Sequence, residues 1–197
     1  MTTLLVILFI IIAIALYLIV IYNQLVKLKN RYQNAFAQID VQMKRRYDLI
    51  PNLIEVAKQA MQHERQTLTE VIAARNLAHA ALQQAANNPG DAKAMQNFQQ
   101  AEAKLQSSLS GFNVLVEAYP DLKTNQTMMQ LNEELSSTEN RIAFARQAFN
   151  DAVMFYNAYR QSFPPILFAA TFGHPLDATL LEFVDKEQIQ QAPKVQF

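Results

Sequence analysis

The stretch Leu4–Tyr22 reads LLVILFIIIAIALYLIVIY. It holds no charged residue, and as a helix it rises roughly 28 Å, close to the hydrocarbon thickness of a bilayer. A soluble core helix of that length carries a polar stripe, which this run lacks. A cleaved signal peptide needs a basic leader, a shorter apolar stretch and a small-x-small site. Here only Met1, Thr2 and Thr3 precede the run, and Ala13 and Ala15 sit in its middle. Residues 1–24 therefore read as a retained transmembrane anchor. No basic side chain precedes the run, whereas Lys27, Lys29 and Arg31, then Lys44, Arg45 and Arg46, follow it. The positive-inside rule places the C-terminal region in the cytoplasm and the N-terminus outside. Tyr17 and Tyr22 suit the headgroup level.

Beyond the anchor the apolar period becomes helical. Leu25, Leu28, Tyr32, Ala35, Ile39, Met43, Tyr47 and Ile50 recur at three- and four-residue steps, the seam of a helix packed on other helices. The period runs on through Leu53, Val56, Val71, Ala74, Ala78 and Leu82. Pro51 interrupts it, because proline removes the bond to the Tyr47 carbonyl and crowds that oxygen. Asp48 could cap a new helix there. The unbroken period instead favours a kinked continuation, with a helical domain standing on a stalk that prolongs the anchor. Asn87-Asn88-Pro89-Gly90-Asp91 is a turn, and Asp91 is placed to cap the next helix. That helix ends near Tyr119-Pro120, followed by a loop to Asn125. A last long helix spans about Thr127 to Phe163, before Pro164-Pro165. The expected fold is all-α: one transmembrane helix, then an elongated antiparallel up-and-down bundle of three to four long helices over residues 25–163. Residues 164–197 form an apolar C-terminal segment and tail. The run Ile166–Phe172 is too short to span a bilayer; it covers the bundle, lies on a membrane surface or docks on a partner. Gln188–Phe197 reads as loose.

The sequence shows little chemistry. Cysteine is absent, which excludes disulfides, thiolate nucleophiles and zinc–thiolate sites. Three glycines are too few and too scattered for a phosphate loop, and no serine sits in a nucleophile elbow. Neither His63 nor His79 completes the Glu-x-x-His pattern of a di-iron bundle, since Ala60 and Asn76 stand three residues earlier. His63 falls on or beside the seam and reads as a structural, hydrogen-bonded histidine. No cofactor or metal is expected. Acidic and basic residues balance at 17 each, so net charge points to no nucleic-acid partner. Lys44-Arg45-Arg46, flanked by Asp40 and Asp48 at helical spacing, reads as a source of ion pairs. Asp40 with Arg141 or Arg146 is a candidate interhelical pair that would fix register.

Specific blocks also resemble the LemA family. They are Asn34-Ala-Phe-Ala-Gln-Ile-Asp-Val-Gln-Met-Lys-Arg-Arg46 with Asp48-Leu-Ile-Pro-Asn-Leu53, then Ala118-Tyr-Pro-Asp-Leu122 and Glu139-Asn-Arg-Ile-Ala-Phe-Ala-Arg146. Tyr22-Asn23, His63-Glu64, Ala74-Arg75 and Tyr156-Asn157 add to the likeness. The resemblance implies a bacterial inner-membrane protein with a short outside N-terminus and a cytoplasmic four-helix bundle. It implies no enzymatic activity and no catalytic residues. Asp40, Lys44, Arg45, Arg46, Asp48, Pro51 and Asn52 are best read as setting helix register and the bend.

The leading functional expectation is a membrane-anchored, non-enzymatic scaffold that self-associates into a homo-oligomer and organises or remodels the cytoplasmic membrane. The last long helix has a second apolar face, Phe144, Ala148 and Phe155, which needs a neighbour from its own chain or another copy. With Leu25, Leu28 and Tyr32 just past the anchor, Phe144 and Phe155 are the expected contacts between copies. The alternative is a cytoplasmic-facing adaptor that docks another protein through the apolar tail in envelope stress or signalling. A hydrolase built on His63 and Glu64 is the remotest reading, for the pair lacks a nucleophile or metal set.

Overall fold

The structure is a computed structural model, and it describes residues 1–182. The described residues form helices α1 (Thr2–Ala60), α2 (Arg65–Asn87), α3 (Ala92–Glu117), α4 (Pro120–Lys123), α5 (Gln126–Gln161) and α6 (Pro165–Phe168). Phe183, Val184 and the stretch Gln188–Phe197 lie outside them.

One helix carries both the apolar N-terminal run, compatible with a membrane anchor, and a member of the bundle. α1 is a single helix of 59 residues, roughly 88 Å long. From Leu4 to Val20 its large apolar side chains are exposed, Leu18 excepted, as in a helix that faces lipid. From Ile21 on, the seam is covered: Leu25, Ile39, Met43, Tyr47 and Ile50 are fully buried.

The chain does not turn at Pro51, which lies inside α1. Asp48 is likewise mid-helix and caps nothing. The turn comes ten residues later, at Met61–Glu64, and α2 folds back along α1. Tyr47 of α1 meets His79 of α2, ring centroids 5.7 Å apart. The stalk reading is thus corrected: the distal part of α1 is itself the fourth helix of the bundle. The turn has no glycine or proline, and Glu64 makes no side-chain cap bond. Buried Met61 plugs it. Because the hairpin turns late and α2 has 23 residues, α2 ends well clear of the apolar N-terminal run. Its exit turn brings Gly90 beside Tyr32, roughly 15 Å beyond Tyr22 along α1.

Gly90 has φ +88°, and a Cβ there would stand 2.9 Å from the Ala178 Cβ, so this turn requires glycine. Asp91 caps α3, its side chain accepting from the Ala94 amide at 2.8 Å. α3 runs outward again, with Phe98 against Phe36. The stretch after Tyr119 contains α4 rather than open loop. α5, capped by Asn125, returns along α1, and Phe149 and Tyr156 reach Phe36 and Tyr32. The result is an up-and-down four-helix bundle of α1, α2, α3 and α5 around one core.

The C-terminal segment fills the space below the α2–α3 turn. Ala169, His174, Ala178 and Leu181 are buried, so this part of the tail covers the bundle. Its backbone is held by two amides on α5. Asn157 donates to the Ala178 carbonyl and accepts from its N–H, both at 2.9 Å. Asn150 does the same for Leu181, at 3.0 and 2.9 Å. Seven helical residues separate the asparagines, roughly 10.5 Å, and three residues of extended chain cover about the same distance.

Candidate functional site

The bundle has a charged centre. Arg46 and Glu102 are 4% exposed, and both occupy seam positions where the helical period would otherwise place an apolar side chain. Arg46 pairs with Glu102 through one nitrogen and with Glu139 of α5 at 2.9 Å through another. The Tyr47 hydroxyl donates to the second Glu102 oxygen. Three helices, α1, α3 and α5, are thereby tied at one level. Burial opposes the Arg46 charge, but the carboxylates of Glu102 and Glu139 outweigh it and hold its pKa above the ordinary arginine value. Burial, and then the Glu102 charge, push the Tyr47 hydroxyl up, so it stays a proton donor.

α2 is tied to the same level by Arg75. Its Nε donates to the Tyr47 carbonyl at 2.8 Å, and its other end lies 3.5 Å from Asp48. The guanidinium groups of Arg46 and Arg75 lie 5.5 and 6.0 Å from the Tyr47 ring, within range for cation–π attraction. Every polar group in this cluster has a partner except the Arg46 Nε. Such a network sets register more than it adds stability.

The other singled-out residues are spread along α1 and α5. Asp40 pairs with Lys44 on its own helix, at 2.6 Å, and Arg46 takes the interhelical role expected of Asp40. Arg45 approaches Glu134 at 3.9 Å on an exposed surface, a contact of little energetic weight. Pro51 is half-buried and Asn52 exposed; Arg141 is exposed and Arg146 half-buried. His63 and Glu64 lie in the turn after α1, and His63 is exposed rather than a seam histidine. The buried histidine is His174, whose Nδ1 is 3.0 Å from the Tyr156 hydroxyl. Among the described residues no group of three or more His, Cys, Asp or Glu side chains is placed to hold a metal ion.

Leu25, Leu28 and Tyr32, expected between copies, are buried within the chain, because α5 and the C-terminal segment cover that seam. Phe144 and Phe155 differ: they are 73% and 57% exposed on the outer face of α5, with Met154 exposed beside them. Sequence reasoning missed Glu102, and it did not give the partners of Arg75, Asn150 and Asn157. Glu102 carried a signal, a carboxylate between Phe98 and Leu105 on the apolar stripe of α3.

The LemA family model matches residues 35–197, most of the chain and all four bundle helices. The chain belongs to the LemA family. A search of curated proteins finds no match. The match includes the Asp40–Asn52 block and the partners it meets, Arg75, Glu102 and Glu139. This family block thus corresponds to the central polar cluster and to the intact helix through Pro51.

Proposed function

We propose that this LemA family chain is a non-enzymatic scaffold, anchored in the bacterial inner membrane with its bundle in the cytoplasm. Copies associate side by side through α5, and the assembly organises or deforms the membrane. The observation that carries this reading is the exposed strip Phe144, Ala148, Phe155 along the outer face of a helix whose inner face is already packed. The strip is roughly 17 Å long and parallel to the bundle axis. An anchor at the foot of every copy holds neighbouring bundles in one plane, and α5 runs antiparallel to α1. Strips on different copies therefore share a height above the bilayer, and confinement raises their effective concentration. Closed cyclic symmetry is the default for such an assembly. The non-enzymatic part draws support from the polar cluster, whose central charges, Arg46 and Glu102, are buried and committed to each other. The orientation draws support from Lys27, Lys29 and Arg31 just beyond the anchor.

The test is the mass of the full-length protein in mild detergent and in lipid nanodiscs, by light scattering with images of the particles. A discrete large particle that Phe144→Ser with Phe155→Ser reduces to single copies supports the scaffold. A monomer at high concentration overturns it and favours the adaptor reading. That adaptor would not dock through Ala169, His174, Ala178 and Leu181, which are buried in the bundle.

A further inference from the structure

The membrane end of the bundle carries four exposed apolar side chains that no described residue covers. Phe163 and Leu176 are 79% and 77% exposed, and Leu167 and Ile166 are 62% and 50% exposed. They come from the end of α5, from α6 and from the loop after it, and converge at one level. Arg160 donates to the Pro175 carbonyl at 2.9 Å, and Gln161 to Asp177 at 2.6 Å, which sets Leu176 beside the end of α5.

That level coincides with the inner end of the anchor. Phe172 meets Tyr22 edge to face, ring centroids 5.6 Å apart. Leu18 and Ile21, inside the apolar run, are already covered by the bundle. A helix crossing a bilayer places Tyr17 to Tyr22 at the headgroup region, so whatever surrounds those residues sits at that depth too.

We propose that residues 163–176 form a membrane foot: Phe163, Ile166, Leu167 and Leu176 insert into the headgroup–acyl boundary of the bilayer that holds the anchor. The occupant of this apolar patch is lipid, because the patch is continuous with the lipid-facing surface of α1. An apolar patch of this kind left in water is costly, and at the interface it is stabilised as in an amphipathic interfacial helix. The cations Lys27 and Lys29 stand one to two turns above Tyr22, where they meet lipid phosphates. A second attachment point fixes the tilt of the bundle relative to the membrane, which a single helical anchor leaves free. The inference rests on the anchor reading and is independent of self-association.

The chain lacks cysteine, so single-cysteine variants label cleanly. The full-length protein is placed in nanodiscs carrying lipids brominated near the top of the acyl chain, with an environment-sensitive fluorophore at Leu167→Cys, Leu176→Cys, Leu8→Cys or Phe144→Cys. The expected result is strong bromine-dependent quenching at positions 167, 176 and 8, and little at 144. Quenching at 8 with none at 167 or 176 overturns the foot and leaves the anchor standing. Loss of quenching at 8 as well overturns both. A label at 167 shielded from water but unaffected by bromine also overturns the foot, because a protein then covers it.

Discussion

Arg75 on α2 donates its Nε–H to the carbonyl of Tyr47 on α1, at 2.8 Å. That carbonyl is the one Pro51 leaves without a helical donor, since proline has no N–H to return to the residue four before it. The orphaned acceptor faces α2 in a part-buried position, where a carbonyl left without a donor is costly. A side chain from the neighbouring helix supplies it, so α1 runs through its proline unbroken and α2 is fastened at the point of weakness.

This pairing predicts a specific coupling. Arg75→Leu should cost about 2 kcal/mol, the penalty for an acceptor left unsatisfied. In a Pro51→Ala background the helix restores its own bond, and the cost of losing Arg75 should fall by about 1 kcal/mol. Denaturant unfolding of the four proteins in a double-mutant cycle measures it; equal costs in both backgrounds would refute the account.

The central charges predict an asymmetry between single and combined replacement. Glu102→Ala leaves the buried Arg46 with Glu139 alone and strands the Tyr47 hydroxyl, and should cost about 3 kcal/mol. Arg46→Met and Glu102→Leu together with Tyr47→Phe remove the need for pairing and should stay near the parent stability. Thermal unfolding ranks the variants, and images of the triple variant show whether a single register survives.

The amides of Asn150 and Asn157 should govern the docking of the C-terminal segment. Asn157→Ala removes two partly buried hydrogen bonds, about 2 kcal/mol at roughly 1 kcal/mol each. Amide exchange should accelerate at Ala178 and Leu181 while the Phe36–Phe98 region stays protected. Uniform loss of protection would mean that the segment is not a separately opening unit.

His174 should make stability pH-dependent. Burial first, then Lys29 on α1 and Arg160 on α5, hold its imidazole below the ordinary histidine value. The unfolded chain takes up this proton near pH 6.5, the folded one only at lower pH. The contribution is therefore complete above about pH 6.5 and is lost as pH falls towards the folded value. Melting temperatures between pH 7.5 and 5 should show a fall that His174→Gln flattens.

The sequence by itself determined the long apolar N-terminal helix, the helical class, the turn at Pro89-Gly90, the cap at Asp91 and the seams of the long helices. All of these are local: a run of apolar residues, a period or a backbone preference is written in neighbouring positions. Only the tertiary structure decided where the first hairpin turns. Pro51 is the strongest breaker in its region, yet the helix continues, because its lost bond is repaired by a residue twenty-four positions away. Met61–Glu64 has no breaker, yet the chain turns there. The same holds for which seam faces outward. The periodicity of Leu25, Leu28 and Tyr32 resembles that of Phe144 and Phe155, and burial by α5 and the tail separates the first set from the second. Partner choice for Arg46 was likewise beyond the sequence, since opposite charges on three helices allow several pairings. Backbone register selected Glu102 and Glu139, because it brings those carboxylates to the level of Arg46 once the helices are packed.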